Sequence, residues 1–152
     1  DLMERPALVA ACVAAMQAES PVPVTVKCRI GVDDQTPADI LPRFIETVAE
    51  AGARHFIIHA RKAWLQGLSP KENREIPPLR YDIVRRLKED FPDLPVVLNG
   101  GLRTAGPCVE ALEWADGVMI GREAYHRPMV LGELYAALEP ESYRPLTVAE
   151  HL

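Results

Sequence analysis

The stretch VPVTVKCRI, residues 22–30, decides between two folds for this chain. It is rich in β-branched residues, which predicts a β-strand. Side chains alternate between the two faces of a strand, so Val26 and Cys28 share one face while Lys27 and Arg29 share the other. The first face is apolar enough to pack against helices. The second carries two cations that need solvent or an anionic partner.

Three further segments repeat this pattern: HFIIHA (55–60), PVVLNGG (95–101) and DGVMIGR (116–122). Each has an apolar face and places polar groups near its C-terminal end, such as His59, Arg61 and Asn99. Helical periodicity is predicted between and around the strands, over residues 6–18, 42–51, 81–90, 104–114 and 128–138. Strands that alternate with helices predict βαβ units and a parallel sheet.

Two α/β architectures satisfy this order, an open doubly wound sheet and a closed (β/α)8 barrel. A doubly wound sheet is packed on both faces and would rarely admit Lys27 and Arg29 in mid-strand. Barrel strands, in contrast, carry functional polar groups at their C-terminal ends, where the active sites of such barrels lie. The strand faces therefore favour the (β/α)8 TIM-barrel type.

Composition sets broader limits. The chain has 152 residues, 48% of them apolar, which suits one globular domain with a substantial core. No apolar run approaches the roughly 18 residues that span a bilayer, and DLMERPALVA does not resemble a signal peptide. The three cysteines lack metal-ligand spacing, which indicates buried thiols in a reducing cytoplasm and no metal site. Because the chain starts without Met inside a helical pattern, we expect a segment of something longer.

Charge is distributed unevenly. The net charge is −5, which argues against general nucleic-acid binding, yet residues 61–88 hold eight Lys and Arg against three acids. Residues 61–80 within this window show no helical or strand period, and long irregular connections in compact domains usually carry function. The basic window is compatible with binding a specific polyanion. A solvated helix face next to a charged loop is the alternative.

The strand ends suggest a ligand site. Asn99-Gly100-Gly101 and, some twenty residues later, Gly121-Arg122 together favour a phosphate site, although a turn glycine and a surface Arg explain either half alone. An inward-facing Lys27 needs an anion, an electron-accepting ring or a carboxylate on a neighbouring strand. His59 alone is commonly a core histidine. Beside Lys27 and Arg61 we interpret it as a ligand contact.

At these residues the chain resembles a known family. The segments VTVKCRIG, HFIIHARKAWLQGLSPKENREIPPL, VLNGGL and GVMIGREAYHRP are similar to the tRNA-dihydrouridine synthases, in particular their A-type subfamily. The resemblance implies an FMN-dependent (β/α)8 barrel that reduces tRNA D-loop uridines (U20/U20a) to dihydrouridine, with NADPH as reductant. It also implies that residues 1–138 form the second half of the barrel, strands 5–8, and that residues 139–152 begin a C-terminal extension.

The resemblance assigns roles by position. Lys27 would lie at the pyrimidine end of the flavin, His59 would contact flavin and substrate, and Arg61 would approach the flipped-out uridine. The FMN phosphate and ribityl chain would be held by Asn99, Gly100, Gly101, Gly121 and Arg122. Residues 66–78 would form a platform at the barrel mouth, with Lys71 and Arg74 contacting tRNA.

The chain also departs from the family pattern. The family's proton-donor Cys, in an NxGCP-type motif, does not occur in these residues, and Cys28 is no substitute because it faces away from Lys27. We therefore expect no catalytic residue in this segment and little or no activity from it alone. Two open strand edges would favour self-association. The alternatives are another FMN barrel oxidoreductase of the dihydroorotate dehydrogenase kind, or a non-catalytic half-barrel that binds phosphate or RNA.

Overall fold

The structure is a computed structural model that describes residues 2–145, in which strands and helices alternate. The strands are β1 (Thr25–Arg29), β2 (His55–His59), β3 (Val96–Asn99) and β4 (Gly117–Met119). The α-helices are α1 (Pro6–Glu19), α2 (Pro37–Glu50), α3 (Tyr81–Asp90), α4 (Ala105–Leu112), α5 (Arg122–His126) and α6 (Met129–Leu138). Two short 3-10 turns cover Leu2–Glu4 and Glu72–Arg74.

The four strands form one parallel sheet in the order β1-β2-β3-β4, so that each strand pairs with the next one in the chain. A doubly wound sheet reverses its strand order at a switch point, and this sheet does not. The expected α/β fold, half of a (β/α)8 barrel, is therefore confirmed. Within residues 2–145, β1 and β4 each keep one unpaired edge. Self-association through these edges stays a prediction, which light scattering tests.

The core lies between the sheet and the helices. Phe56 and Ile58 of β2, and Val96 and Leu98 of β3, are completely buried on the face that the helices cover. Helix α2 contributes its own buried stripe to this core. Its members are Leu41, Phe44, Ile45 and Val48. The alternation that the sequence predicts is thus present, and within residues 2–145 the side chains on the opposite face, called the open face below, are at most half-buried.

The element boundaries differ from the prediction at the start of helix α2 and at the ends of the strands. Helix α2 begins at Pro37 rather than Pro42, because burial of Leu41 and its apolar stripe in the core retains the turn that contains Pro42. Every strand is shorter than its apolar run, and Arg122 starts helix α5 instead of ending β4. Thr104 is the N-cap residue of α4, but its side chain donates or accepts no capping hydrogen bond.

Helix α1 is less buried than its apolar stripe indicates. The prediction placed Cys12 and Met16 on the core side, yet Cys12 is exposed and Met16 is 49% exposed, whereas Val13 is buried. The reason is position: α1 packs mainly against α2 at the β1 side of the sheet, so part of its apolar surface has no neighbour among the described residues. The expectation of three buried thiols is accordingly wrong for Cys12 and correct for Cys108.

None of the helices between residues 2 and 145 has the length and apolar character required to cross a membrane. Half of the predicted C-terminal extension, residues 146–152 out of 139–152, lies outside the described residues. That boundary therefore stays a prediction.

Candidate anion-binding site

A cleft of about 310 Å³ lies at the C-terminal ends of the strands, on the open face of the sheet. It brings together nine of the ten predicted site residues: Lys27, His59, Arg61, Arg74, Asn99, Gly100, Gly101, Gly121 and Arg122. Lys71 is the exception. It is exposed and precedes the 3-10 turn Glu72–Arg74, outside the residues that line the cleft.

The charge of the cleft is its main chemical property. Among the described lining residues, six are Lys or Arg and none is a carboxylate. Like charges that converge raise each other's energy unless an anion enters between them. The geometry therefore provides a site for a negatively charged ligand. No group of three or more His, Cys, Asp or Glu within residues 2–145 is arranged to hold a metal ion.

Strand register explains how these side chains meet. Arg29 of β1, His59 of β2, Asn99 of β3 and Met119 of β4 lie side by side across the sheet. Neighbours in a parallel sheet point to the same face, so the four side chains form one row at the mouth. Lys27 lies one layer below that row, two residues earlier in β1.

His59 lies at the centre of the cationic groups. Burial, followed by the charges of Arg29, Lys27 and other nearby cations, lowers its pKa to about 4. At neutral pH the imidazole is therefore uncharged and offers one donor and one acceptor. The ring also packs against the backbone of the next strand. A Cβ added at Gly100 would approach His59 Cδ2 to 2.6 Å.

Lys27 and Cys28, adjacent in β1, illustrate the two faces of the sheet. Burial and the charge of Arg29 lower the pKa of Lys27. Within the described chain, Lys27 forms no ion pair with a carboxylate, so the structural salt bridge considered above is not found. Burial raises the pKa of the Cys28 thiol to about 12. That thiol stays protonated and unreactive on the helix-covered side.

The glycines of the NGG segment have defined reasons to be glycine. Gly101 has φ of +74°, and a Cβ there would come within 2.4 Å of Leu79 Cδ1. The Tyr81 hydroxyl donates a hydrogen bond of 2.5 Å to the Gly100 carbonyl. The side-chain Nδ2 of Asn99 donates one of 2.8 Å to the Met119 carbonyl. Gly121 differs, because a Cβ there would meet no atom within 4 Å. Its backbone borders open space in the cleft.

Two cleft arginines hold the loop between β2 and α3. Arg29 Nη1 donates to the carbonyls of Lys62 and Asn73, each at 2.8 Å. Arg61 Nη1 donates to the carbonyls of Glu75, at 3.0 Å, and Pro77, while its Nε is buried without a partner in the described structure. Arg61, which the sequence analysis placed near the substrate, thus serves the loop in this structure.

Asn73 organises the rest of that loop. Its Oδ1 accepts a hydrogen bond of 2.7 Å from the Trp64 amide, and its Nδ2 donates to the Trp64 carbonyl at 2.6 Å and to the Leu68 carbonyl at 3.2 Å. The segment without periodicity is therefore a folded loop with internal bonds. This order is compatible with the predicted platform, whose role stays a prediction.

Four further residues line the cleft, and no binding role was predicted for them from the sequence. They are Arg29, Leu102, Arg103 and Met119. Arg29 shares a strand face with Lys27, and Met119 precedes Gly121 by two residues. The alternation of side chains along a strand therefore predicts that both point to the same face as the predicted site residues. Leu102 and Arg103 lie in an irregular connection, where no periodicity points to the cleft.

Comparisons with known proteins identify the family. The family model described as dihydrouridine synthase (Dus) matches residues 1–151. The tRNA-dihydrouridine(20/20a) synthase of Xanthomonas axonopodis pv. citri (strain 306) is 57% identical over 144 residues, covering 95% of this chain and 43% of that protein. The enzyme of the same name from Pseudomonas putida is 59% identical over 133 residues, covering 88% of this chain and 40% of its own length. The chain thus spans less than half the length of these relatives.

A comparison of folds finds a solved structure of similar fold. A solved structure titled Crystal structure of Amycolatopsis orientalis BexX/CysO complex matches with a TM-score of 0.51 and 17% identity, over 94% of this chain and 54% of that one. At this identity the likeness concerns the fold alone. The family match covers nearly every residue, and it agrees with the resemblance seen in the strand ends and the loop. The chain belongs to the dihydrouridine synthase family.

Proposed function

We propose that this chain is the cofactor- and tRNA-binding half of a tRNA-dihydrouridine synthase. Such an enzyme would reduce D-loop uridines (U20/U20a) to 5,6-dihydrouridine in the cytoplasm, with FMN as cofactor and NADPH as reductant. The observation that carries the proposal is the cleft at the strand ends, which six cations and no carboxylate line within the described residues. Its relatives named tRNA-dihydrouridine(20/20a) synthase supply further support.

The residues present fit FMN. A phosphate group suits the glycine backbone at Gly100 and Gly101 with the Arg122 guanidinium, and the open space beside Gly121 leaves room for a ligand. Bound FMN would supply the hydride for the uracil ring. Lys27 would place its positive charge against the electron-accepting end of the ring system, where a cation stabilises added negative charge. Neutral His59 would donate a hydrogen bond to flavin or substrate.

Cys28 does not fit the role of proton donor in the proposed reaction. The Cys28 thiol has a pKa of about 12, so it releases its proton poorly. It also lies on the helix-covered face, away from the cleft. The 152 residues contain no NxGCP-type motif. We therefore propose that turnover requires a proton donor from outside these residues. The chain alone would bind ligand without reducing uridine.

FMN titration tests the cofactor assignment. FMN binding should quench flavin fluorescence, and Lys27→Ala should weaken FMN binding by about 10- to 150-fold, because a hydrogen bond to a charged group contributes about 1.5–3 kcal/mol. Arg85→Ala is the matched control, since Arg85 is exposed on α3 and pairs only with Glu89 among the described residues. Absence of quenching at high micromolar FMN would refute the flavin assignment and leave the non-catalytic anion-binding module.

A tRNA-binding measurement tests the platform. Lys71 is exposed and lies outside the cleft, so Lys71→Ala should weaken tRNA binding and leave FMN binding unchanged. Loss of one phosphate contact should also reduce the slope of log affinity against log salt by about one. Arg74 lines the cleft, so Arg74→Ala should affect both ligands. An unchanged salt slope for Lys71→Ala would remove Lys71 from the tRNA surface.

The dihydroorotate dehydrogenase-like alternative has less support. A small substrate needs no basic platform, whereas residues 61–80 form an ordered loop with exposed Lys71 and Arg74. A complete family enzyme that reduced a free pyrimidine and ignored tRNA would reverse this preference.

A further inference from the structure

A carboxylate of the loop between β2 and α3 forms an ion pair with one of the cations of the cleft. Glu75 Oε1 lies 3.1 Å from Arg122 Nη1, and both side chains are about half exposed. Arg122 lines the cleft, whereas Glu75 belongs to the returning part of the loop between β2 and α3. An anionic side chain of the loop is therefore bound where we place the ligand phosphate.

A second cation holds the same piece of the loop. Arg61 Nη1 donates hydrogen bonds to the carbonyls of Glu75 and Pro77. The neighbouring Nε atom is buried and has no acceptor within the described residues. A buried donor without a partner is unusual in a native structure, and it marks an arrangement that another partner would complete. The segment 75–77 thus closes on two cleft arginines and leaves one of their donors unsatisfied.

The remainder of the loop does not depend on this closure. Asn73 ties its own region together through Trp64 and Leu68, and Arg29 holds the Asn73 carbonyl from β1. Glu72, the other acid of the loop, accepts a hydrogen bond of 2.8 Å from the Ser69 amide instead of contacting the cleft. The contacts that order residues 62–73 therefore do not include the pair of Glu75 with Arg122.

We propose that Glu75 is a displaceable substitute for the ligand phosphate, and that phosphate binding releases the Glu75 side chain from Arg122 and loosens segment 75–77, which Arg61 then holds alone. The proposal rests on the proposed function, in that the phosphate is assigned to FMN. An exposed ion pair between single charges is weak, whereas a phosphate dianion that meets several arginines gains charge-assisted hydrogen bonds from each. The dianion should therefore win the competition for Arg122.

Displacement of Glu75 by phosphate would link cofactor binding to the position of the basic loop. Loss of the Glu75 contact frees the end of the basic loop when the cofactor phosphate binds. Because binding linkage is reciprocal, whatever holds the loop away from Arg122 must also strengthen phosphate binding. Glu75 is thus a positioning residue, which acts on the ligand through Arg122 and the loop.

The first experiment measures FMN affinity in Glu75→Gln and in its matched control Glu72→Gln, which makes the same charge change in the same loop. Removal of the competing carboxylate should tighten binding about two- to fivefold, the range that corresponds to a weak exposed ion pair. Glu72→Gln should bind like the unaltered chain. Equal or weaker affinity in Glu75→Gln than in Glu72→Gln would overturn the proposal.

The second experiment observes the loop directly by amide hydrogen exchange. The Glu75 and Ile76 amides both donate to the Glu72 carbonyl, at 2.9 and 2.8 Å, while the Asn73 amide donates to the Ser69 carbonyl at 2.9 Å. Inorganic phosphate should accelerate exchange at 75 and 76 and leave 73 unchanged, compared with potassium chloride of equal ionic strength. In Glu75→Gln the two amides should already exchange fast, with no response to phosphate.

The two readouts separate the possible failures. If FMN binds neither variant but inorganic phosphate still releases residues 75 and 76, the flavin assignment fails and the displacement stands. If FMN binds and exchange at these amides does not change, the displacement fails and the proposed function stands. If phosphate produces no exchange response at any concentration, Glu75 is a static part of the loop.

Discussion

The two faces of the same four strands have opposite characters. On the helix-covered face Phe56, Ile58 and Leu98 are completely buried, whereas on the open face His59 and Asn99 remain half-buried beside several cations. Both faces alternate residue by residue along one backbone, so neighbours in sequence belong to different environments. Burial on the helix-covered face stabilises the fold. The open face can carry charged side chains because they are only half-buried among the described residues.

The sharpest test of this contrast compares two adjacent isoleucines of β2. Ile58 is completely buried against the helices, so Ile58→Ala should lower the free energy of unfolding by about 2–5 kcal/mol. Ile57 lies half-buried on the open face, where Ile57→Ala should cost about 1 kcal/mol or less. Urea unfolding of both variants measures the difference. Equal losses would show that the open face is covered by something in solution.

The next largest effect concerns the backbone above the open face. Gly101→Ala introduces a Cβ at positive φ that would contact Leu79, so it should cost about 1–3 kcal/mol of unfolding free energy. Gly106→Ala in α4 is the matched control, because nothing lies within 4 Å of the new Cβ and Ala favours a helix. The control should be neutral or slightly stabilising. A harmless Gly101→Ala would mean that the NGG turn is not rigid.

A smaller effect should appear with pH. His59 has a pKa of about 4 in the folded chain, below its ordinary value of 6.5, so the unfolded chain binds more protons between these values. The unfolding free energy should therefore fall as pH drops from about 6.5 to about 4. His59 is half-buried, so solvent screening limits the loss to about 1–2 kcal/mol.

Urea unfolding at pH 7 and pH 5 measures this loss, and His59→Gln provides the control that lacks the titrating group. The variant should show a smaller drop between the two pH values. If both proteins lose the same stability, another group accounts for the pH dependence, and the charge of the open face is weaker than its geometry indicates.

The sequence predicted the fold well where periodicity was clean. Helix α3 begins and ends where its apolar stripe does, at Tyr81 and Asp90, and the strand alternation placed Lys27 and Cys28 on opposite faces. Periodicity is sufficient in such segments because burial on one side decides the structure. It failed at Pro42, where the local rule for a helix start competed with the packing of Leu41, and packing prevailed.

The cleft was predictable in composition but not in its contacts. Strand-end positions indicated Lys27, His59 and Asn99, since parallel strands end at one edge. The pairing of Arg61 with the Glu75 and Pro77 carbonyls joins residues far apart in an irregular loop. No period in the sequence encodes such contacts, because they depend on where tertiary packing places the loop.

The anchor of the loop in a neighbouring strand has a consequence for protein engineering. The loop belongs in sequence to β2, yet Arg29 of β1 holds its carbonyls, and Asp33 accepts a hydrogen bond of 2.8 Å from the Leu65 amide. Its first residues also bridge to the chain that follows β1, where Val32 pairs with Ala63. The conformation of the loop therefore depends on contacts with β1 and cannot be transferred with the loop alone. A graft of residues 62–78 onto another barrel would need the end of β1 as well. Without the hydrogen bonds from that strand end, the grafted loop would not keep its conformation.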